Sequence, residues 1–180
     1  MSLFLALRAP AALQEAVRAW HPPGELGLRR PDPAQLHLTL AFLGEASEAR
    51  CDAVADLAAA AAREHPPFTL RAAGLGAFPS PASARVLWWG VDAHPELTAL
   101  AATLRERLVA AAIPFDPKPF RAHLTLGRFP KPRVLPALDP PATTLWPVSR
   151  LALLESLPGG SGVRHGLRGE WPLTGGEARP

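Results

Sequence analysis

The tetrapeptide His37-Leu38-Thr39-Leu40 recurs as His123-Leu124-Thr125-Leu126, close to half a chain length further on. Each copy follows a helical pattern and has the apolar alternation of a strand, whose side chains point to opposite faces in turn. Leu38 and Leu40 therefore take one face and pack against helices, while His37 and Thr39 share the other. The second copy divides in the same way, with His123 and Thr125 on one face. A repeat at this offset is the trace of two related halves. An approximate two-fold between them brings both His/Thr pairs to one shared cleft. The 180 residues suit one domain or two tightly joined lobes, and residues 1–180 are read as a single bilobed domain with half-motifs at 37–40 and 123–126.

The remaining elements fit that arrangement. Residues 2–8 read as a strand and Pro10 as the first turn of a helix reaching about Trp20, since proline has no N–H to leave unsatisfied there. A loop with Arg29, Arg30 and Asp32 leads to a strand from about Gln35 to Leu43. Ser47 is placed to cap a helix running to about Glu64, with Glu48 favourable in its first turn. Strands follow at Phe68–Leu75 and Arg85–Val91, then a helix from Pro95 to about Ile113 with Leu97, Leu100, Leu104 and Leu108 on one face. Strands at about Phe120–Phe129, Ser149–Glu155 and Arg164–Trp171 complete the chain. This order predicts an α+β fold: two pseudo-symmetric halves with antiparallel or mixed sheets facing a central cleft and helices outside. No glycine-rich loop opens a helix, which excludes a P-loop or a dinucleotide fingerprint.

A cleft holding two imidazoles and two hydroxyls has what is needed to break a phosphodiester. One imidazole protonates the leaving oxygen and the other takes a proton from water, while the threonine hydroxyls donate to the non-bridging oxygens as charge builds. Histidine suits both roles because its ordinary pKa of about 6.5 lies near neutrality. Net charge is only +3, so the chain is no global polycation. Lys118, Arg121, Arg128, Lys131 and Arg133 nevertheless cluster with no acid between them, which suits a phosphate-bearing ligand. Neither motif copy offers a second His, Asp or Glu at i+2 or i+4, too few ligands for a catalytic ion, and the expectation is no metal and no cofactor. His21, His65 and His94 adjoin prolines at helix ends and read as incidental. Cys51 alone allows no internal disulfide and reads as a buried helical residue. The apolar start lacks a basic region ahead of it and no apolar run reaches about eighteen residues, so the reading is a cytoplasmic protein without a membrane span.

The chain resembles the 2H (two-histidine) phosphoesterases, and within them the bacterial LigT-like RNA 2′,3′-cyclic phosphodiesterases first described as 2′-5′ RNA ligases. The resemblance covers nearly the whole length. It runs through Leu3–Leu7, Leu36–Gly44, Gly76–Pro79, Arg85–Val91 and Phe120–Arg128. It implies His37 as proton donor and His123 as proton acceptor, with Thr39 and Thr125 binding the phosphate and Arg128 near it. The implied reaction is hydrolysis of a 2′,3′-cyclic phosphate at an RNA end to a 2′-phosphomonoester, by a monomer. A 2′-5′ RNA ligase, a phosphodiesterase for small cyclic nucleotides and a non-catalytic RNA-end binding module are the rival readings. Two departures stand out. Ala122 replaces a frequent proline before the second histidine, and His165 occupies the place of a frequent tyrosine in the last hairpin, leaving its role open.

Overall fold

A computed structural model describes residues 1–159 and 162–176. Its first strand, β1 (Ser2–Arg8), is apolar almost throughout because both of its faces are covered. Leu3, Leu5 and Leu7 enter the main core beneath the helices, whereas Phe4 and Ala6 join Ala152 and Leu154 in a small second cluster on the opposite face. Alternation is lost in such a strand because neither side meets water.

The helix α1 (Ala11–Ala19) follows Pro10 and buries Leu13 and Val17. Arg30 closes its far end, donating to the carbonyls of Val17 at 2.6 Å and Trp20 at 3.1 Å, with its guanidinium over the Trp20 ring. A turn capped by the Asp32 carboxylate over Pro33–Gln35 delays the second strand, so β2 spans His37–Glu45 rather than starting at Gln35. In α2 (Glu48–Ala62) the Ser47 hydroxyl accepts from the Arg50 N–H, as its capping role requires, and Cys51 is buried with Val54 and three alanines. α3 (Pro95–Ala110) buries Leu97, Leu100, Leu104 and Leu108 as its spacing predicts. It ends short of Ile113, where Ala112 turns to a φ of 53°.

The other strands are β3 (Phe68–Phe78), β4 (Ala84–Val91), β5 (His123–Arg133), β6 (Thr144–Val148), β7 (Arg150–Gly159) and β8 (Gly162–Pro172). They form two four-stranded sheets, β2-β1-β7-β8 and β5-β4-β3-β6, and every pairing is antiparallel. β6 is absent from the sequence reading. Its Pro147 argues against a strand, yet β6 lies at a sheet edge, the position where a missing N–H is tolerated.

The two sheets are not simply the first and second halves of the chain. The first joins β1 and β2 to the C-terminal hairpin β7–β8, while the second is built from the middle. The repeated unit is instead strand–helix–strand: β1–α1–β2 in one sheet and β4–α3–β5 in the other. Each helix crosses to the opposite sheet, α1 onto β6 and α3 onto β2, and the two repeat strands β2 and β5 meet where the sheet edges adjoin. That crossing brings the two histidine strands together.

Candidate active site

The repeat extends further in structure than in residue identity. His37–Leu43 (HLTLAFL) and His123–Phe129 (HLTLGRF) share one burial pattern: partly buried His and Thr, buried leucines between, then two buried residues, an exposed one and a buried one. The consecutive buried pairs, Leu40-Ala41 and Leu126-Gly127, mark a β-bulge in each strand. Thr39 lies opposite Ala6 but Ala41 opposite Leu5, and Thr125 opposite Trp88 but Gly127 opposite Leu87. One extra residue reverses the alternation beyond it. Phe42 and Arg128 are thereby returned to the face that carries the histidines and threonines, where uninterrupted alternation would have placed them opposite.

Each histidine is oriented by the backbone two residues before it. His37 Nδ1 donates to the Gln35 carbonyl at 2.7 Å and His123 Nδ1 donates to the Arg121 carbonyl at 2.6 Å. A carbonyl can only accept, so Nδ1 holds the proton in both rings and Nε2 is the nitrogen left to exchange one. Aromatic packing fixes the planes. His37 lies 4.9 Å from Phe4 and meets the edge of His165 at 4.8 Å. His123 meets Phe78 edge-on at 4.9 Å, with Trp88 at 6.3 Å. Trp88 in turn lies across Gly76, where an added Cβ would come within 2.0 Å of the indole. That close approach explains the glycine.

Burial penalises the charged imidazole. It pushes His37 down to about 4, with the His165 and His123 charges adding to the fall and the Gln35 carbonyl opposing it. Burial also lowers His123, against the Arg121 carbonyl, and the positive charge of Arg128 presses in the same direction. His165 is lowered by burial as well. In the free protein at neutral pH, then, these rings are neutral.

The structure brings His37, Thr39, His123, Thr125 and Arg128 to one face along the seam of β2 and β5. It also adds residues that the sequence reading did not assign. His165 adjoins His37, its main-chain N–H donating to the Gln35 side-chain oxygen at 2.6 Å and its buried Nδ1 unpartnered among the described residues. Gln35 thus holds His37 with its carbonyl and β8 with its amide, and Arg8, Gln35, His37 and His165 line one open pocket. Nothing local in β8 marks His165, because the contact spans most of the chain.

The basic cluster divides. Lys118 pairs with Asp116 at 3.0 Å, Arg121 lies over Phe78, and Arg133 donates to the carbonyls of Leu26 and Glu25. Other histidines have structural partners: His65 bonds Thr103 at 2.9 Å and His94 caps α3. Among the described residues, no group of three His, Cys, Asp or Glu side chains is placed to hold a metal ion, and no helix is long and apolar enough to cross a membrane.

Comparison with known proteins places this arrangement. The model of the 2′-5′ RNA ligase superfamily matches residues 9–160. An RNA 2′,3′-cyclic phosphodiesterase of Thermus thermophilus is 40% identical over 169 residues, covering 87% of this chain and 82% of its own. One of Escherichia coli is 38% identical over 131 residues, 70% of each chain. The crystal structure of E. coli LigT complexed with 3′-AMP superposes with a TM-score of 0.84 at 30% identity, covering 96% of this chain and 98% of that one. A crystal structure from T. thermophilus gives a TM-score of 0.76 at 35% identity, covering 98% of this chain and 100% of that one.

Proposed function

The chain belongs to the 2′-5′ RNA ligase superfamily, and from that premise we propose that it is an RNA 2′,3′-cyclic phosphodiesterase whose two repeat histidines transfer the protons. The observation that carries this reading is the matched pair of Nδ1–H···O=C bonds, at 2.7 and 2.6 Å. They leave two equivalent Nε2 atoms, one from each sheet, for proton transfer at a shared seam.

The substrate phosphate lies between β2 and β5 and accepts hydrogen bonds from the Thr39 and Thr125 hydroxyls, with Arg128 balancing its charge. His123 Nε2 takes a proton from water as the water oxygen bonds to phosphorus. The bond from phosphorus to O3′ breaks, and His37 Nε2–H delivers its proton to that oxygen. One water is consumed and a 2′-phosphomonoester is formed. The histidines end with protonation states exchanged and reset through solvent. No metal is required, since the side chains supply both the charge stabilisation and the proton transfers. Both histidines come from one chain, which supports a monomer, and the single, buried Cys51 is compatible with the reducing cytoplasm.

The test is turnover of a short RNA ending in a 2′,3′-cyclic phosphate, with product analysis. His37→Ala and His123→Ala should each lower kcat by at least about 10²-fold with unchanged circular dichroism. Near-normal turnover in either variant removes that residue from the mechanism. A 3′-phosphate product would reverse the assignment of the leaving oxygen.

A further inference from the structure

We propose that Arg29, paired beside Arg128, extends the phosphate site along the chain: it holds the internucleotide phosphate next to the reacting one and so selects RNA chains over single cyclic nucleotides. The inference rests on the phosphodiesterase reading above.

The segment between α1 and β2 does not simply connect them. Its middle crosses to the other sheet and pairs with β5: the Arg29 N–H donates to the Arg128 carbonyl and the Arg128 N–H to the Arg29 carbonyl, each at 2.9 Å. Residues in such a doubly bonded antiparallel pair project to the same side. The bulge at Leu126-Gly127 has already turned Arg128 onto the face of His123 and Thr125, so Arg29 shares it.

This pairing is costly by itself. Like charges directly opposite across a ladder repel, and both side chains are exposed. Among the described residues, neither guanidinium has an ion pair or a side-chain hydrogen bond, and Lys131 has none either, while four other cations are engaged. Arg30 closes α1, Arg133 holds the Leu26 carbonyl, Lys118 pairs with Asp116 and Arg8 meets Glu170 at 3.4 Å. Two adjacent arginines without an acid are arranged for an anion supplied from outside, and their planar forks match phosphate oxygens.

The chain is also shaped to keep them there. At Gly127 an added Cβ would meet Leu28 Cγ at 2.7 Å and the Arg29 carbonyl oxygen at 2.8 Å, so only glycine lets the crossing segment lie this close. Arg133 ties down its start, and the capped turn at Asp32 its end. Arg128 stands two paired positions beyond Thr125, roughly 7 Å along the strand. With Arg128 turned toward the phosphate held by Thr125 at the seam, Arg29 is left for the next one along the chain.

The experiment compares kcat/KM for a 5′-labelled oligoribonucleotide ending in a 2′,3′-cyclic phosphate with that for adenosine 2′,3′-cyclic monophosphate, in the wild type, Arg29→Gln and Arg29→Lys. Arg29→Gln should lose about tenfold more on the oligonucleotide than on the mononucleotide, the scale of a charge-assisted hydrogen bond. The slope of log binding constant against log salt for the oligonucleotide should fall by about one, and Arg29→Lys should restore that slope. Equal losses on the two substrates, or no loss on either, would overturn the proposal. A parallel anisotropy titration with the same RNA carrying a 2′-phosphate, competed by adenosine 2′-monophosphate, needs no turnover. If the wild type turns over neither substrate, the phosphodiesterase reading fails, and the titration still decides whether Arg29 discriminates chain from monomer.

Discussion

A proton donor must hold the proton it gives, yet burial sets His37 at about 4 in the free protein, where it is neutral at physiological pH. The bound phosphate resolves this. A unit negative charge roughly 4 Å from the ring, at an effective dielectric of about 20, favours the imidazolium by about 4 kcal/mol. At about 1.4 kcal/mol per tenfold, that carries His37 from about 4 to roughly 7. Ligand binding should then draw a proton from solvent. The measurement is an NMR titration of the His37 ring resonances, free and saturated with inorganic phosphate, assigned with His37→Gln. A calorimetric binding enthalpy that varies with buffer ionisation enthalpy would report the same uptake. The linkage also appears in stability. The folded pKa lies below the unfolded value of about 6.5, so the unfolded chain binds more protons as pH falls. The contribution of neutral His37 is therefore complete above about 6.5 and lost toward about 4. The total loss in the phosphate-free protein is about 3 kcal/mol, readable by urea unfolding. A His37 resonance that titrates near 6.5 in the free protein, or stays near 4 with phosphate bound, refutes this account.

Gly127→Val should force the crossing segment off β5, costing about 1–3 kcal/mol in urea unfolding; wild-type stability would mean that the contact at Gly127 yields without cost. Exhaustive chelation should leave turnover unchanged, and lost activity that zinc or manganese restores would require a metal in the mechanism.

Local periodicity made much of this molecule legible. The alternation around His37 and His123 identified two strands with the reactive groups on one face, and leucine spacing identified α3 with its buried side. Ser47 announced the start of α2, because a cap bonds within one turn of its own position. These features depend on neighbours a few residues away, and sequence records such neighbours directly.

Other features depend on which strand lies alongside. Arg128 entered the sequence reading through the basic cluster and the family resemblance, although simple alternation puts it on the wrong face. Only the pairing of β5 with β4 reveals the extra residue that turns it back. β6 carries Pro147, which a central strand would not admit, and its edge position is a property of the assembled sheet. His165 and Gln35 belong to the His37 environment through a contact between β8 and the turn before β2, which no local pattern encodes. Arg29 and Arg30 are adjacent and chemically identical, yet one closes a helix and the other faces Arg128. The sequence by itself determined the chemical groups and the strands that carry them. Their convergence, and the division of similar residues between structure and site, was decided by tertiary pairing, because hydrogen-bond register and ring packing join residues far apart in the chain.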